Sequence, residues 1–594
     1  MKIDYLKGGE FLTVKTDDQE IFIPEEFTDE QKMIADVCED FLEKEVYPNL
    51  DRIDKQEPNL MVNLLKKAGE LGLLSLDIPE EYGGLGQSFV TSMLAADKLG
   101  GGHSFAVAYS AHTGIGTLPI LYYGNEYQKQ KYLPKLATGE WLAAYCLTEP
   151  GAGSDANSGR TRATLSSDGK YYILNGQKMW ITNGGFADVL VVFAKIENDK
   201  ILSAFIVERN FPGITFGAEE NKMGIKGSST VQIFFNDCQV PVENLLGKRG
   251  EGFRIALNIL HIGRIKLGAD VIGSMKRAIL HSVNYANERK QFGTLIANFG
   301  AIKYKLAEQV VLTFATESAV YRVADYIDRM IENQIKEGKK KEEAQLSALG
   351  EYAMEAAILK VYGSEALDYI VDEGVQIHGG MGFSSEMPIE RCYRDSRINR
   401  IFEGTNEINR LVIADHYLKL IKKPDSPIIQ KAKELYSNIN NIQPPNPALF
   451  QNQLDYFSNV IDNFKNLAIL LQFKAYETLE KKYNDSQEIL MALSNIIMQI
   501  FVLESSILRI KKLKNIKTEN EFNTYLDLAN VLINNSANEI TVNAREIINS
   551  LPLNGEYQSF ANLIFKLTNI KTNNILEARR NIANKIIEHN KYCF

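Results

Sequence analysis

The sequence predicts an α+β chain made of a helical domain, a compact β domain, a helix bundle and an additional helical domain. Three observations point there. Apolar residues recur at helical spacing up to about residue 140. Short apolar runs separated by Gly, Asn and Asp replace that pattern over about 145–245, and the helical period returns from Gly252 onward. At 594 residues the chain has room for three or four domains, each with its own core. The expected divisions are 1–144, 145–250, 251–421 and 422–594.

After a polar leader, Thr28-Asp29-Glu30-Gln31 reads as a capping box, in which hydroxyl and amide side chains each satisfy a free backbone N–H. Ile34, Val37, Phe41 and Leu42 would share one face of the helix that follows, and Pro48 would end it. Breaks are expected at Tyr82-Gly83-Gly84 and Gly100-Gly101-Gly102. The β domain is expected from four runs, beginning at Tyr171, Val189, Ala204 and Val231, with turns at Ser167-Asp168-Gly169 and Asn175-Gly176. Long helices through Ile279, Lys305 and Tyr321, a charged break over 336–343 and more helix to about 420 suit a bundle. Composition shifts at Lys422-Lys423-Pro424-Asp425 and Pro444-Pro445-Asn446-Pro447 mark a linker, beyond which a separate helical appendage is expected.

A formal net charge of −9 argues against a nucleic-acid footprint, which needs a basic stripe. Five widely spaced cysteines with no Cys-x-x-Cys pair suit free thiols in a reducing, cytoplasmic setting. Seven scattered histidines form no His-x-x-x-His pair, so no metal site is expected. The amino terminus lacks the apolar core of a signal peptide, and the most apolar stretch, Met491 to Ile510, is interrupted by Asn495, Gln499, Glu504 and Arg509. It reads as a core helix.

The segment Arg400-Ile401-Phe402-Glu403-Gly404-Thr405-Asn406-Glu407 is the most informative. It sets a carboxylate between an aromatic residue and a glycine, as proton abstraction from carbon requires: a dry neighbour raises basicity and a small one admits substrate. A glutamate ahead of a helix also serves as a plain first-turn acid. Leu147-Thr148-Glu149-Pro150-Gly151-Ala152-Gly153-Ser154-Asp155 is either a polar turn or a loop whose backbone approaches a ligand closely. Trp180, beside Thr182, reads most commonly as a buried structural anchor, or else as the flank of a planar heterocycle. Arg289-Lys290-Gln291-Phe292-Gly293 and Gln376-Ile377-His378-Gly379-Gly380 could face a pyrophosphate or simply end helices. No Gly-x-Gly-x-x-Gly follows a strand into a helix, so a Rossmann site is excluded.

Taken together, five ordered motifs resemble the acyl-CoA dehydrogenase family of flavoproteins: Thr148 through Asp155, Trp180 through Asn183, Met223-Gly224-Ile225 with Ser228 to Thr230, Arg289 through Gly293, and Glu403-Gly404-Thr405. The resemblance covers about residues 25 to 420, and the appendage is similar to that of the very-long-chain branch. It implies that Tyr145, Leu147, Thr148, Gly153, Ser154, Trp180 and Thr182 hold FAD, with Thr405 and Glu407 closing over it. Arg289, Gln291, Phe292, Gln376, Gly379 and Gly380 would reach the cofactor of a neighbouring subunit, and a homodimer is the expected assembly. Ser154, Arg264, Phe402 and Gly404 match positions that line or anchor the acyl-CoA.

The family places its catalytic base either at the Glu403 position or immediately before Arg264. Gly263 fills the second place here, which leaves Glu403. The implied reaction is α,β-dehydrogenation of a fatty acyl-CoA in β-oxidation, with electrons passed to an electron-transferring flavoprotein. Ala108, Ala111 and Gly114 match the helix that closes the acyl pocket in shorter-chain relatives, and their small side chains would either leave room for a long acyl chain or serve ordinary tight helix packing. The segment 422–450 shows no long amphipathic face, so membrane attachment is not carried over. An acyl-CoA oxidase and a non-catalytic scaffold on the same fold are the competing readings.

Overall fold

The computed structural model describes residues 5–423 and 426–594; residues 1–4 of the leader and Pro424-Asp425 of the expected linker lie outside them. The leader is not merely polar. Short 3-10 turns bring Phe11, Leu12, Ile21 and Ile23 into the main core. The capping box then forms as the sequence predicts, with Gln31 N donating to Thr28 Oγ1 at 3.2 Å and Thr28 N to Gln31 Oε1 at 3.0 Å. Helix α1 (Asp29–Phe41) buries Ala35, Cys38 and Phe41, whereas Val37 is exposed. The helical path does not stop at Pro48. It relaxes into a π turn over Leu42–Val46, and Pro48 sits inside the next 3-10 turn, where its missing N–H costs nothing. Helices α2 (Phe89–Gly100) and α3 (Ser104–Ser110) follow, α3 running on into a π turn over Ala111–Gly116.

The β domain holds strands β1 (Ala143–Cys146), β2 (Arg162–Leu165), β3 (Tyr171–Thr182), β4 (Val189–Ile196), β5 (Ser203–Glu208), β6 (Ile214–Phe216), β7 (Thr230–Pro241) and β8 (Leu245–Leu246). Their order is β6-β7-β3-β2-β4-β5-β8, with β1 parallel to β4. Asn175-Gly176, expected as a turn, lies within β3 as an irregularity, because Gly176 at φ 150° lets the strand slip register against β7 without leaving the sheet. A second slip follows between Lys178 and Ile181.

The bundle is built from α4 (Gly252–Glu288), α5 (Gly300–Lys336), α6 (Ala353–His378) and α7 (Asn406–Ile421). Beyond it lie α8 (Gln453–Leu479), α9 (Gln487–Leu513), α10 (Glu519–Ser550) and α11 (Ile575–His589). The appendage is less separate than the sequence suggests: one continuous apolar core runs through bundle and appendage. α9 is long and apolar enough to cross a membrane by composition, but most of it is buried against its neighbours.

A seam of buried charge crosses that core. Arg322 on α5 donates to Glu504 Oε2 and Thr16 Oγ1 at 3.0 Å, and to Ser505 Oγ and Tyr326 Oη at 3.1 Å. Glu504 also takes Lys465. Arg509 on α9 bridges Glu317 of α5 and Glu25 of the leader, each at 2.7 Å. The leader, the bundle and the appendage are therefore tied by the same ion network.

Candidate active site

Glu403 lies in the short loop between a 3-10 turn, Arg397–Arg400, and α7. Its φ of 58° is left-handed, a conformation a non-glycine residue holds only at a cost of about 1–3 kcal/mol, and Gly404 continues it at 82°. Three neighbours hold the loop there. Arg264 Nε donates to Glu403 O at 3.2 Å, and Asn409 Nδ2 to Gly404 O at 2.7 Å. Lys360 Nζ donates to Gly404 O at 2.8 Å and to Asn406 Oδ1 at 2.6 Å. Thr405 caps α7 through Ile408 N, while Glu407 is exposed in its first turn.

The side chain of Glu403 turns inward. Its Oε2 is buried and has no hydrogen-bond partner. Burial pushes the carboxyl up to about 7, against the opposing pull of Arg264 and Lys360. Burial in turn lowers Lys360 to about 7. A Cβ at position 263 would stand 2.6 Å from Glu403 Oε2, so Gly263 is the seat of this carboxylate. A side chain at 263 would therefore compete with the Glu403 carboxylate for the same space.

Glu403, Phe402, Thr182, Gly263, Ala111 and Gly114 line one cavity. Ala108, expected beside them, is fully buried elsewhere, its carbonyl accepting from Asn183 Nδ2. Tyr145 lies close enough for the Glu403 charge to act on its hydroxyl, and that hydroxyl is also buried without a partner. The register slip in β3 sets Trp180 at φ 59° and leaves it 53% exposed. The adjoining loop is braced by a buried pair that the sequence did not reveal: Lys178 Nζ donates to Glu149 Oε1 at 2.7 Å and to Leu147 O at 3.1 Å. Met179 N adds a bond to Thr148 O at 3.0 Å. Gly153 has open space around it, and Ser154 is exposed beside it.

A second set of sequence-predicted residues is not at this cavity. Arg289, Gln291 and Phe292 form an exposed hairpin after α4, with Phe292 at φ 52° and 94% exposed. Gln376, Gly379 and Gly380 are exposed at the end of α6. The stack of Tyr285 on His378, 4.3 Å between ring centres, joins α4 to α6 just behind these two segments. The chain therefore divides its candidate ligand residues between an inner cavity and an outer face.

These features suit a flavin nucleotide. A half-exposed indole offers a face to a planar ring, the orphaned Tyr145 hydroxyl a polar partner, and the braced, unobstructed glycine loop a backbone that phosphate can approach.

Comparison with known proteins agrees with this arrangement. Family models match residues 28–140 (acyl-CoA dehydrogenase, N-terminal domain), 144–238 (middle domain), and 250–418 and 463–561 (both C-terminal domain). A relative described as a probable acyl-CoA dehydrogenase from Bacillus subtilis (strain 168) is 43% identical over 593 residues, covering 99% of each chain. The rat mitochondrial very long-chain specific acyl-CoA dehydrogenase is 44% identical over 375 residues, 61% of this chain and 54% of that one. The crystal structure of an acyl-CoA dehydrogenase complexed with FAD from Bacillus anthracis superimposes with a TM-score of 0.96 at 44% identity, covering 99% of this chain and 100% of that one.

Proposed function

The chain belongs to the acyl-CoA dehydrogenase family of FAD-dependent oxidoreductases, and from that premise we propose that it oxidises a long-chain fatty acyl-CoA to the trans-2-enoyl-CoA, with Glu403 as its base. The observation that carries the proposal is the buried, unpartnered Oε2 of Glu403 in the cavity it shares with Thr182. A carboxylate deprived of hydrogen bonds is a stronger base, and a pKa near 7 keeps it ionised enough to accept the α-proton of a thioester. Arg264 and Asn409 fix the loop, so the carboxylate is aimed before substrate arrives. FAD, when bound, supplies the acceptor for the hydride that leaves the β-carbon.

Tyr145, Leu147, Thr148, Gly153, Ser154, Trp180 and Thr182 would hold that cofactor, with Thr405 and Glu407 at its edge. Ser154, Arg264, Phe402 and Gly404 would meet the acyl-CoA. The exposed Phe292, with Arg289, Gln291, Gln376, Gly379 and Gly380, would serve the site of a second subunit in a homodimer. Apolar exposure of Phe292 and, at 92%, of Phe383 supports an interface on that face. Chain length is supported by the cavity, which follows α4 from Gly263 through Leu267 and Val271 to Ser274 and Arg277. An electron-transferring flavoprotein as acceptor, a place in β-oxidation and a cytoplasmic location complete the reading; five free cysteines favour the last.

Anaerobic titration with acyl-CoAs of graded length tests it. Long-chain thioesters are expected to bleach the flavin, and Glu403→Gln is expected to stay yellow and unbleached. Bleaching retained by that variant would refute the assignment of the base.

A further inference from the structure

The far end of the acyl cavity holds an unsatisfied cation. α4 lines the cavity along one stripe, with Gly263 against Glu403 and Arg277 fourteen residues on, which at 1.5 Å per residue is about 21 Å away. Along the other side the wall runs from Ala111 in the π turn through Val107 and Ala106 of α3 to Gly101 after α2. Three ionisable groups of α4 beyond Gly263 line the cavity, and His103 and Asp395 face it from other elements. Lys266 is neutralised by Asp77 at 2.6 Å, and Asp270 accepts from Ser110 Oγ at 2.9 Å through Oδ2 while its Oδ1 is buried without a partner among the described residues. Arg277 is different. Among the described residues it makes no ion pair and no hydrogen bond; its guanidinium lies over the Tyr47 ring, 4.0 Å from the centroid, and its Nε is buried and unpartnered.

The carboxylates nearby are already engaged. Asp395 takes His103 Nδ1 at 2.9 Å and Ile225 N at 2.5 Å. A second cavity meets the first at Gly101 and Arg277, and of its acids Asp97 and Glu317 are paired with Lys276, and Glu39 with Lys98. Two further acids of that cavity, Asp36 and Glu43, are exposed to solvent. A guanidinium with five donors at the end of a narrow apolar passage matches a planar oxyanion. An extended alkyl chain with bonds of about 1.5 Å advances about 1.25 Å per carbon, so some sixteen carbons span the distance from Glu403.

Resting on the proposed function, we infer that Arg277 forms a carboxylate subsite at the distal end of the acyl cavity, and that the protein accepts long-chain acyl-CoAs bearing an ω-carboxylate, the mono-thioesters of α,ω-dicarboxylic acids. The terminal carboxylate receives the N–H donors that the chain itself leaves unused. A terminal methyl in the same place would cover the half-buried Arg277, with its unpartnered Nε, without compensating it. No bond is made or broken at this subsite, and the reaction at Glu403 is unchanged.

The test measures dissociation constants of hexadecanedioyl-mono-CoA and hexadecanoyl-CoA by calorimetry on FAD-loaded Glu403→Gln protein, which binds without turnover. Decanoyl-CoA, too short to reach, serves as reference. The dioyl thioester is expected to bind more tightly than its methyl-ended counterpart, and Arg277→Met is expected to shift that ratio by roughly 10- to 100-fold toward the methyl-ended chain, the scale of a charge-assisted contact. Arg277→Lys should restore part of it. A ratio unmoved by Arg277→Met, or a dioyl thioester bound more weakly than hexadecanoyl-CoA by the protein with Arg277 intact, overturns the subsite and leaves the proposed function standing. Binding of neither thioester overturns both.

Discussion

The seam between bundle and appendage and the cavity at Glu403 both bury charge, and they treat it in opposite ways. Arg322 and Arg509 are fully buried, yet carboxylates and hydroxyls occupy their donors on several sides. Glu403 and Tyr145 keep polar atoms that none of the described residues satisfies. Burial of an unpaired polar group costs about 1–3 kcal/mol and is rare in native structures. A fold able to saturate its seam could have saturated Glu403, with Lys360 and Arg264 both close, but those cations are spent on the backbone carbonyls of the loop. The contrast separates charge that holds the molecule together from charge kept reactive.

The comparison breaks if Glu403 proves dispensable. Glu403→Gln is expected to lower the rate of acyl-CoA oxidation by roughly 10²–10⁴-fold, the range of a lost general base, with FAD content unaltered; stopped-flow bleaching checks it. On the seam side, Glu504→Ala strands Arg322 and Lys465 in the core, and a loss of about 3–5 kcal/mol in a reversible denaturant titration is expected, with turnover per folded, FAD-loaded molecule retained. Gly263→Ala tests the seat of the carboxylate. A methyl group 2.6 Å from Oε2 displaces it, and a fall of about 10² in kcat with little change in stability is expected, since misplacement of a reacting group by about 1 Å costs that much.

The smallest effect is the sharpest in sign. Burial raises the Glu403 carboxyl from 4.5 to about 7 in the folded chain, so between these values the folded state binds the extra proton and stability falls as pH rises. Below the lower value the penalty is absent. Glu403→Gln should therefore match the parent in stability near pH 4 and exceed it by about 3 kcal/mol near pH 8, by thermal denaturation of the cofactor-free proteins. A gain that shrinks with rising pH would contradict the assigned environment.

Much of this was legible beforehand for physical reasons. The capping box at Thr28, the strands and the long helices rest on local spacing, and local spacing is what a sequence displays. Glu403 was legible because its neighbours Phe402 and Gly404 are adjacent in the chain. Val37 misled because the helix turns a neighbouring stripe, Ala35 and Cys38, toward the core, and small residues weaken an amphipathic signal. Asn175-Gly176 misled because a glycine that permits a turn permits a bulge equally well. The pair Lys178–Glu149, the lysine at 360 and the seam were hidden because each joins residues far apart in sequence, with no period to betray them. The stripe on α4 could have been found, since 263, 267, 270, 274 and 277 keep helical spacing and end on a charge.

The bond between Glu25 and Arg509 spans 484 positions. A ribosome exposes Glu25 long before Arg509 exists, so this ion pair forms only after the 484 positions that separate them have been made. Loss of α9 would remove this tie from Glu25, while Leu6, Gly8 and Gly9 would keep their bonds to Tyr352, Glu351 and Glu355.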